Sequence, residues 1–161
     1  MATKTSEKRK KKKAAKSQKT AKDFFDRYIY DTMTKKVVVL FEDVSLLDIT
    51  SQMAKKSISC VVIVSRKSPK KPLGVITERD IVKVCATKAK NTKFSEIKAK
   101  DFMSTPVKCV HERELLVPIA KLMRNNKSRR FPVVDKNGNM VGLITQTDVL
   151  DGMIQLVKHL N

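Results

Sequence analysis

Gly74-Val75-Ile76-Thr77-Glu78-Arg79-Asp80-Ile81-Val82 is matched by Gly142-Leu143-Ile144-Thr145-Gln146-Thr147-Asp148-Val149-Leu150, 68 residues later. Each stretch holds a glycine, a short apolar run and a Thr-x-x-Asp, which is a helix-capping pattern placed where a strand would turn into a helix. Upstream, Asp31-Thr32-Met33-Thr34-Lys35-Lys36-Val37 aligns with Asp101-Phe102-Met103-Ser104-Thr105-Pro106-Val107 at an offset of 70. Gln52-Met53 aligns with Leu122-Met123 at the same offset, as does Val61-Val62-Ile63-Val64 with Phe131-Pro132-Val133-Val134. The first copy therefore has two more residues in the loop expected at 65–72 than the second has in 135–140. Turns carrying Pro or Gly tolerate such changes best.

Each copy reads as strand, helix, strand, strand, helix. Residues 37–40 and 107–110 are short β-branched runs. Leu46, Leu47, Ile49 and Met53 in one copy, and Leu115, Leu116, Ile119, Leu122 and Met123 in the other, recur at helical spacing. Asp135-Lys136-Asn137-Gly138-Asn139 is a hairpin-turn signal between the second copy's last two strands. Two units of about 55 residues are each marginal alone, so they are expected to pack together. The fold class is α/β (α+β), with two β-α-β-β-α repeats related by a pseudo-twofold. The expected division is 1–22 as a basic tail, 23–88 as the first repeat with a leading helix, 89–100 as a polar linker, and 101–161 as the second repeat. The leading helix is read from Phe24, Phe25, Tyr28 and Ile29.

Composition limits what else the chain can be. It has 161 residues, 41% hydrophobic but only 5% aromatic and without Trp, so the core must come from Val, Ile, Leu and Met. Its longest apolar runs are about five residues, against the roughly 20 needed to span a membrane. No apolar segment follows the charged start, so no secretory leader is expected. Cys60, Cys85 and Cys109 never fall in a CxxC spacing, and His111 and His159 lie far apart, so no metal site is expected and a reducing cytoplasm fits. There is no P-loop, and no Cys/His or Ser/His arrangement beyond isolated residues. No catalytic residue is therefore assigned, and no enzyme activity is expected.

The net charge is +19, unevenly spread. Residues 1–22 contain nine Lys, one Arg and one acid, giving +9, and the other 139 residues carry +10. Such a segment has too little apolar surface to offset its ordering entropy and is expected to be disordered. A cationic tail attracts phosphate polymers by counterion release. Without interleaved aromatics it offers no base stacking.

The paired pattern Met-[Thr/Ser], Val-Val and Gly-h-Ile-Thr-x-x-Asp, where h is an apolar residue, resembles the CBS domain, named for cystathionine β-synthase. That domain occurs in tandem pairs, the Bateman modules, and the resemblance covers about residues 31–157. It implies two symmetry-related clefts that bind AMP, ADP, ATP or S-adenosylmethionine as regulatory ligands, with no obligatory cofactor. The resemblance assigns the ribose-binding role to Asp148, with Thr145 and Thr147, and to Asp80, with Thr77 and Arg79. An ionised carboxylate at a helix N-terminus can accept from both ribose hydroxyls. Arg129 and Arg130 are candidate phosphate ligands, since guanidinium forks grip phosphate bidentately; Lys36 is a further candidate cation. The base is expected against Met33, Val38, Ile58, Ser59 and Leu143 in the Asp148 cleft. For the Asp80 cleft the same positions are Met103, Lys108, Ser128 and Val75. Lys36 stands where the second copy has Pro106, and Ser59-Cys60 where it has Arg129-Arg130, so the clefts are expected to differ.

The expected function is a cytoplasmic, homodimeric regulatory module that senses an adenosine nucleotide and signals to an unidentified protein. The alternative is a nucleic-acid-associated protein, with residues 1–22 contacting DNA or RNA and the repeats serving as a dimerising scaffold.

Overall fold

A computed structural model of the chain describes residue 22 and residues 26–88 and 92–160. The basic tail, apart from Lys22, and two of the leading-helix residues, Phe24 and Phe25, lie outside the described residues.

The first copy runs β1 (Val39–Phe41), α1 (Leu46–Lys56), β2 (Cys60–Ser65), β3 (Ser68–Thr77) and α2 (Glu78–Thr87). The second runs β4 (Val110–His111), α3 (Leu116–Asn125), β5 (Arg130–Val134), β6 (Met140–Thr145) and α4 (Gln146–Leu160). Each copy forms a three-stranded sheet, in the orders β1-β2-β3 and β4-β5-β6. The outer strand β1 is parallel to β2, with Leu40 opposite Ile63, and β2 is antiparallel to β3, with Val61 opposite Ile76. In the second sheet β4 is parallel to β5, with Val110 opposite Val133.

Central position explains composition. Val61, Val62, Ile63 and Val64 are all buried, so β2 is apolar on both faces and does not alternate. Helix α1 buries Leu46, Ile49 and Met53, and α3 buries Leu116, Ile119 and Met123, the same three positions 70 residues on. Burying each such side chain contributes about 1.5–3 kcal/mol. Both helices close alike. Ser57 N donates to Ala54 O and Ile58 N to Met53 O, while Lys127 N donates to Arg124 O and Ser128 N to Met123 O. Ser57 and Lys127 take φ of 51° and 50°, the left-handed conformation this closure needs.

The chain folds as two compact units that do not follow the sequence copies. One comprises residues 34–111 and 131–143; the other comprises the described residues up to 33, with 112–130 and 144–160. In the first unit, Leu46 N donates to Ile97 O (2.8 Å), Ala99 N to Val44 O (2.9 Å) and Lys100 N to Glu42 O (3.0 Å). Ile97 and Ala99 are buried, Ile97 with Leu46 and Val84, and Ala99 with Ile49, Met53, Val61, Ile63 and Ile76. In the other unit, Leu116 N donates to Arg27 O (2.9 Å), Ile29 N to Glu114 O (2.9 Å) and Tyr30 N to Glu112 O (3.1 Å). The two sets correspond at an offset of 70, so each copy is completed by the segment that leads into the other.

Four local expectations change. Tyr28 and Ile29 are not α-helical: Tyr28 bridges Leu115 and Ile29 opens a 3-10 helix, because the flanking Arg27 O and Ile29 N are used on Leu116 and Glu114. The stretch 89–100 contains more than a polar spacer, since Phe94 O accepts from Leu47 N and Ile97 is buried. The loop expected at 65–72 is largely strand. Only Arg66 and Lys67 make the turn, and irregular register beside Val64 absorbs the extra residues. The strand at 107–110 also shortens, to Val110–His111. The second hairpin turn holds as read: Asp135 Oδ1 accepts from Asn137 N and Asn139 N, and Gly138 takes φ +76°.

Candidate functional site: two threonine–aspartate corners

Strand β3 ends at Thr77 and α2 begins one residue later. Asp80 Oδ2 accepts from Thr77 N (2.9 Å) and Thr77 Oγ1 (2.6 Å), while Asp80 N donates to Thr77 Oγ1 (3.4 Å). This is a capping box, which satisfies N–H groups that the helix start would otherwise leave unpaired. The β6–α4 junction repeats it: Asp148 Oδ2 accepts from Thr145 N (2.7 Å) and Thr145 Oγ1 (2.7 Å), and Asp148 N donates to Thr145 Oγ1 (3.3 Å). Both aspartates are half-buried, and in both the capping bonds are accepted by Oδ2. A carboxylate has about four acceptor sites, so capping leaves capacity for further donors.

At the first corner Ser104 Oγ donates to Asp80 Oδ1 at 3.3 Å. Ser104 is held there by reciprocal backbone bonds with Val75, Val75 N to Ser104 O (3.2 Å) and Ser104 N to Val75 O (2.9 Å). Gly74 makes the approach possible, since a Cβ there would lie 2.7 Å from Met103 Sδ and 3.1 Å from Ser104 O. Thr34 makes the equivalent pair of bonds with Leu143, both 2.9 Å. The polar partner Ser104 is absent from the residues picked out in the sequence, although the repeated Met-[Thr/Ser] pair is the signal that points to it.

The remaining candidates divide by position. Around Asp80 the fold gathers Thr77, Val75 and the half-buried Met103, while Arg79 and Lys108 are exposed. Around Asp148 it gathers Thr145, the exposed Thr147 and the basic pair, because Gln146 N donates to Arg129 O at 2.9 Å. Glu78 N to Ser59 O (3.4 Å) is the first-copy equivalent, without an arginine. Arg129 is exposed and Arg130, the first residue of β5, is half-buried. Met33 is a core residue, 6% exposed, and Leu143 is buried. Val38 and Ile58 pack on the first copy's core, and Lys36 and Ser59 are exposed. Lys36, Val38, Ile58, Ser59 and Leu143 belong to the unit that does not contain Asp148, and Ser128 to the one that does not contain Asp80. Ser128 Oγ donates to Arg130 O (3.0 Å).

Among the described residues no group of three or more His, Cys, Asp or Glu is placed to hold a metal, and no helix is long and apolar enough to cross a membrane.

Residues 27–87 and 99–154 each match the CBS domain family. The chain belongs to that family. A further resemblance is to an uncharacterized protein of Methanopyrus kandleri, 39% identical over 104 residues, which are 65% of this chain and 51% of that protein. The chain thus spans about half the length of that relative. Among solved structures, the CBS domain pair of protein MJ0100 in complex with 5'-methylthioadenosine and S-adenosyl-L-methionine is 26% identical, with a TM-score of 0.67 over 78% of this chain and 98% of that one. The CBS domain protein PAE2072 from Pyrobaculum aerophilum, complexed with AMP, is 24% identical, with a TM-score of 0.70 over 82% and 99%. The two Thr–Asp corners therefore sit in a CBS pair, one in each domain.

Proposed function

We propose that this CBS pair is a regulatory module that binds an adenosine nucleotide, catalyses nothing itself and passes the binding event to a partner protein. The observation that carries the reading is the repeated corner, in which a threonine holds an aspartate at a helix start in both domains. A ribose diol supplies the two donors such a carboxylate accepts. Adenosyl ligands in the structures of MJ0100 and PAE2072 support the choice of ligand class.

The Asp148 corner is the stronger candidate, because Arg129 and Arg130 adjoin it and can grip phosphate. In this reading Asp148 takes the ribose and Thr145 and Thr147 flank the phosphates, with Met33 in the same unit. At the other corner Asp80 takes the ribose in place of Ser104, with Thr77, Arg79, Val75, Met103 and Lys108 in the same unit. AMP, ADP, ATP and S-adenosylmethionine share the adenosine chemistry; only the first three bring phosphates to the arginines. A ligand shifts the module only by its differential affinity for two arrangements of the pair. The module is further proposed to act as a cytoplasmic homodimer: Leu150, Met153 and Ile154 share one face of α4 and are 55%, 43% and 44% exposed.

Thermal melts with AMP, ATP and S-adenosylmethionine test this. A ligand at 100 times its Kd adds about 2.7 kcal/mol, or roughly 5–10 °C of melting temperature for a chain of this size. The rise should shrink in Asp148→Asn, and vanish if that corner dominates binding. No shift with any of the three compounds overturns the reading.

A second reading rests on the +9 carried by residues 1–22. In it the tail holds DNA or RNA without sequence preference. Deleting residues 1–22 should then remove most salt-sensitive retention on a DNA column; unchanged retention contradicts a role for the tail.

A further inference from the structure

The two hairpins of the CBS pair differ in a way that capping and nucleotide binding leave unused. Residues 65–72 read Ser-Arg-Lys-Ser-Pro-Lys-Lys-Pro, four cations and no acid, whereas 135–140 hold Asp135 against Lys136. The extra length is ordered ladder, with Ser65 opposite Ser68 and Val64 opposite Pro72. Its base is fastened: Arg66 donates from Nε and Nη2 to Asp43 (2.8 and 3.1 Å), lies 4.5 Å over the Phe41 ring and donates its backbone N–H to Glu42 (3.1 Å). Glu42 also accepts from Ser65 Oγ (2.7 Å). Arg66 is thereby committed to the fold. Lys67, Lys70 and Lys71 are exposed, with no carboxylate within ion-pair distance among the described residues.

Edge protection does not account for them. Lysine and proline do blunt sheet edges, and β3 is an edge strand. Yet β6 holds the same edge position without either residue, and both edges are bridged alike, by Ser104 and by Thr34.

We propose that the β2–β3 hairpin is a docking ribbon for the phosphate backbone of duplex DNA, independent of nucleotide binding at the corners. Three lysines on a short, braced ribbon give point charges that match phosphates. Two strands about 4.8 Å apart make a ribbon of the kind that the roughly 12 Å major groove admits. The residues at the tip are all polar or proline, so the hairpin has no apolar wedge for a bilayer and no aromatic anchor for a protein hot spot. Recognition is therefore by charge, blind to sequence.

The test is fluorescence anisotropy of a labelled 25-base-pair DNA duplex with the full chain between about 50 and 200 mM salt. Each phosphate contact contributes about 0.9 to the slope of log K against log salt. K67A/K70A/K71A should therefore flatten the slope by up to about 3, and K67Q/K70Q/K71Q should do the same, each with a melting temperature near that of the parent. K55A/K56A/K121A removes equal charge from the helices and should leave the slope within about 1 of the parent. An unchanged slope in both hairpin variants, or an equal loss in the helix variant, overturns the proposal.

Discussion

Thr77 and Thr145 each use one hydroxyl twice, donating to an aspartate and accepting that residue's backbone N–H. Removing an N-cap hydroxyl costs about 0.5–2 kcal/mol, so Thr77→Ala should lower the melting temperature by roughly 1–8 °C, and Thr77→Ser should restore most of it. Gly74 is decided by space. A methyl there meets Met103 Sδ, which can move, and Ser104 O, which is backbone and paired with Val75. Gly74→Ala should therefore destabilise by about 1–3 kcal/mol in urea unfolding. A cost below about 0.5 kcal/mol would show that the bridge yields easily. Acid sensitivity also belongs to single residues. Hydrogen bonding from Ser65 lowers the Glu42 pKa, bonding from Arg66 lowers that of Asp43, and bonding from the Asn139 backbone lowers that of Asp135. A depressed pKa means the unfolded chain binds more protons, so these groups stabilise the fold above the ordinary carboxylate range, and that contribution is lost as pH falls through and below it. Melting temperature should accordingly decline from pH 5 towards pH 2.5. Arg66→Gln should make the decline shallower, though modestly, because these groups are exposed and screened.

At the scale of elements, local patterns were legible wherever local chemistry decides. The two Thr-x-x-Asp caps, the Asp135–Asn139 turn and the apolar β2 all follow from side chains within a few residues of one another. What the sequence concealed is non-local. Tyr28 and Ile29 look helical by spacing, but Arg27, Ile29 and Tyr30 spend backbone groups on residues 112–116, and no local signal carries that. The length difference at 65–72 was visible, whereas its ordered form was not, because it depends on Arg66 reaching Asp43 and Phe41. For the site, the residue types at each corner could be read, while Ser104 becomes a partner of Asp80 only through the Val75 bridge. The helix faces make a prediction at this scale. If α4 pairs two copies through Leu150 and Ile154, then Leu150→Arg/Ile154→Arg should halve the mass seen in light scattering after gel filtration, with the fold retained. An unaltered mass would place the subunit contact elsewhere.

For the whole molecule, the decisive feature is reciprocity. Residues 27–30 complete 112–116 and residues 97–100 complete 42–46, at one constant offset. Neither copy keeps its own leading segment, so the repeat cannot be divided into two independent halves without unpairing backbone groups on each side. This coupling would let an event at one corner be felt beyond it, since the strand that ends at Thr77 also carries Val75, bonded to Ser104 from the second copy. Isothermal titration calorimetry of AMP, ATP and S-adenosylmethionine into the full chain tests the central claim most directly. The expected result is saturable binding of an adenosine compound, weakened in Asp148→Asn by loss of the stronger site, with that site kept in Asp80→Asn. No binding of any of the three at millimolar concentration, or undiminished affinity in Asp148→Asn, would contradict it.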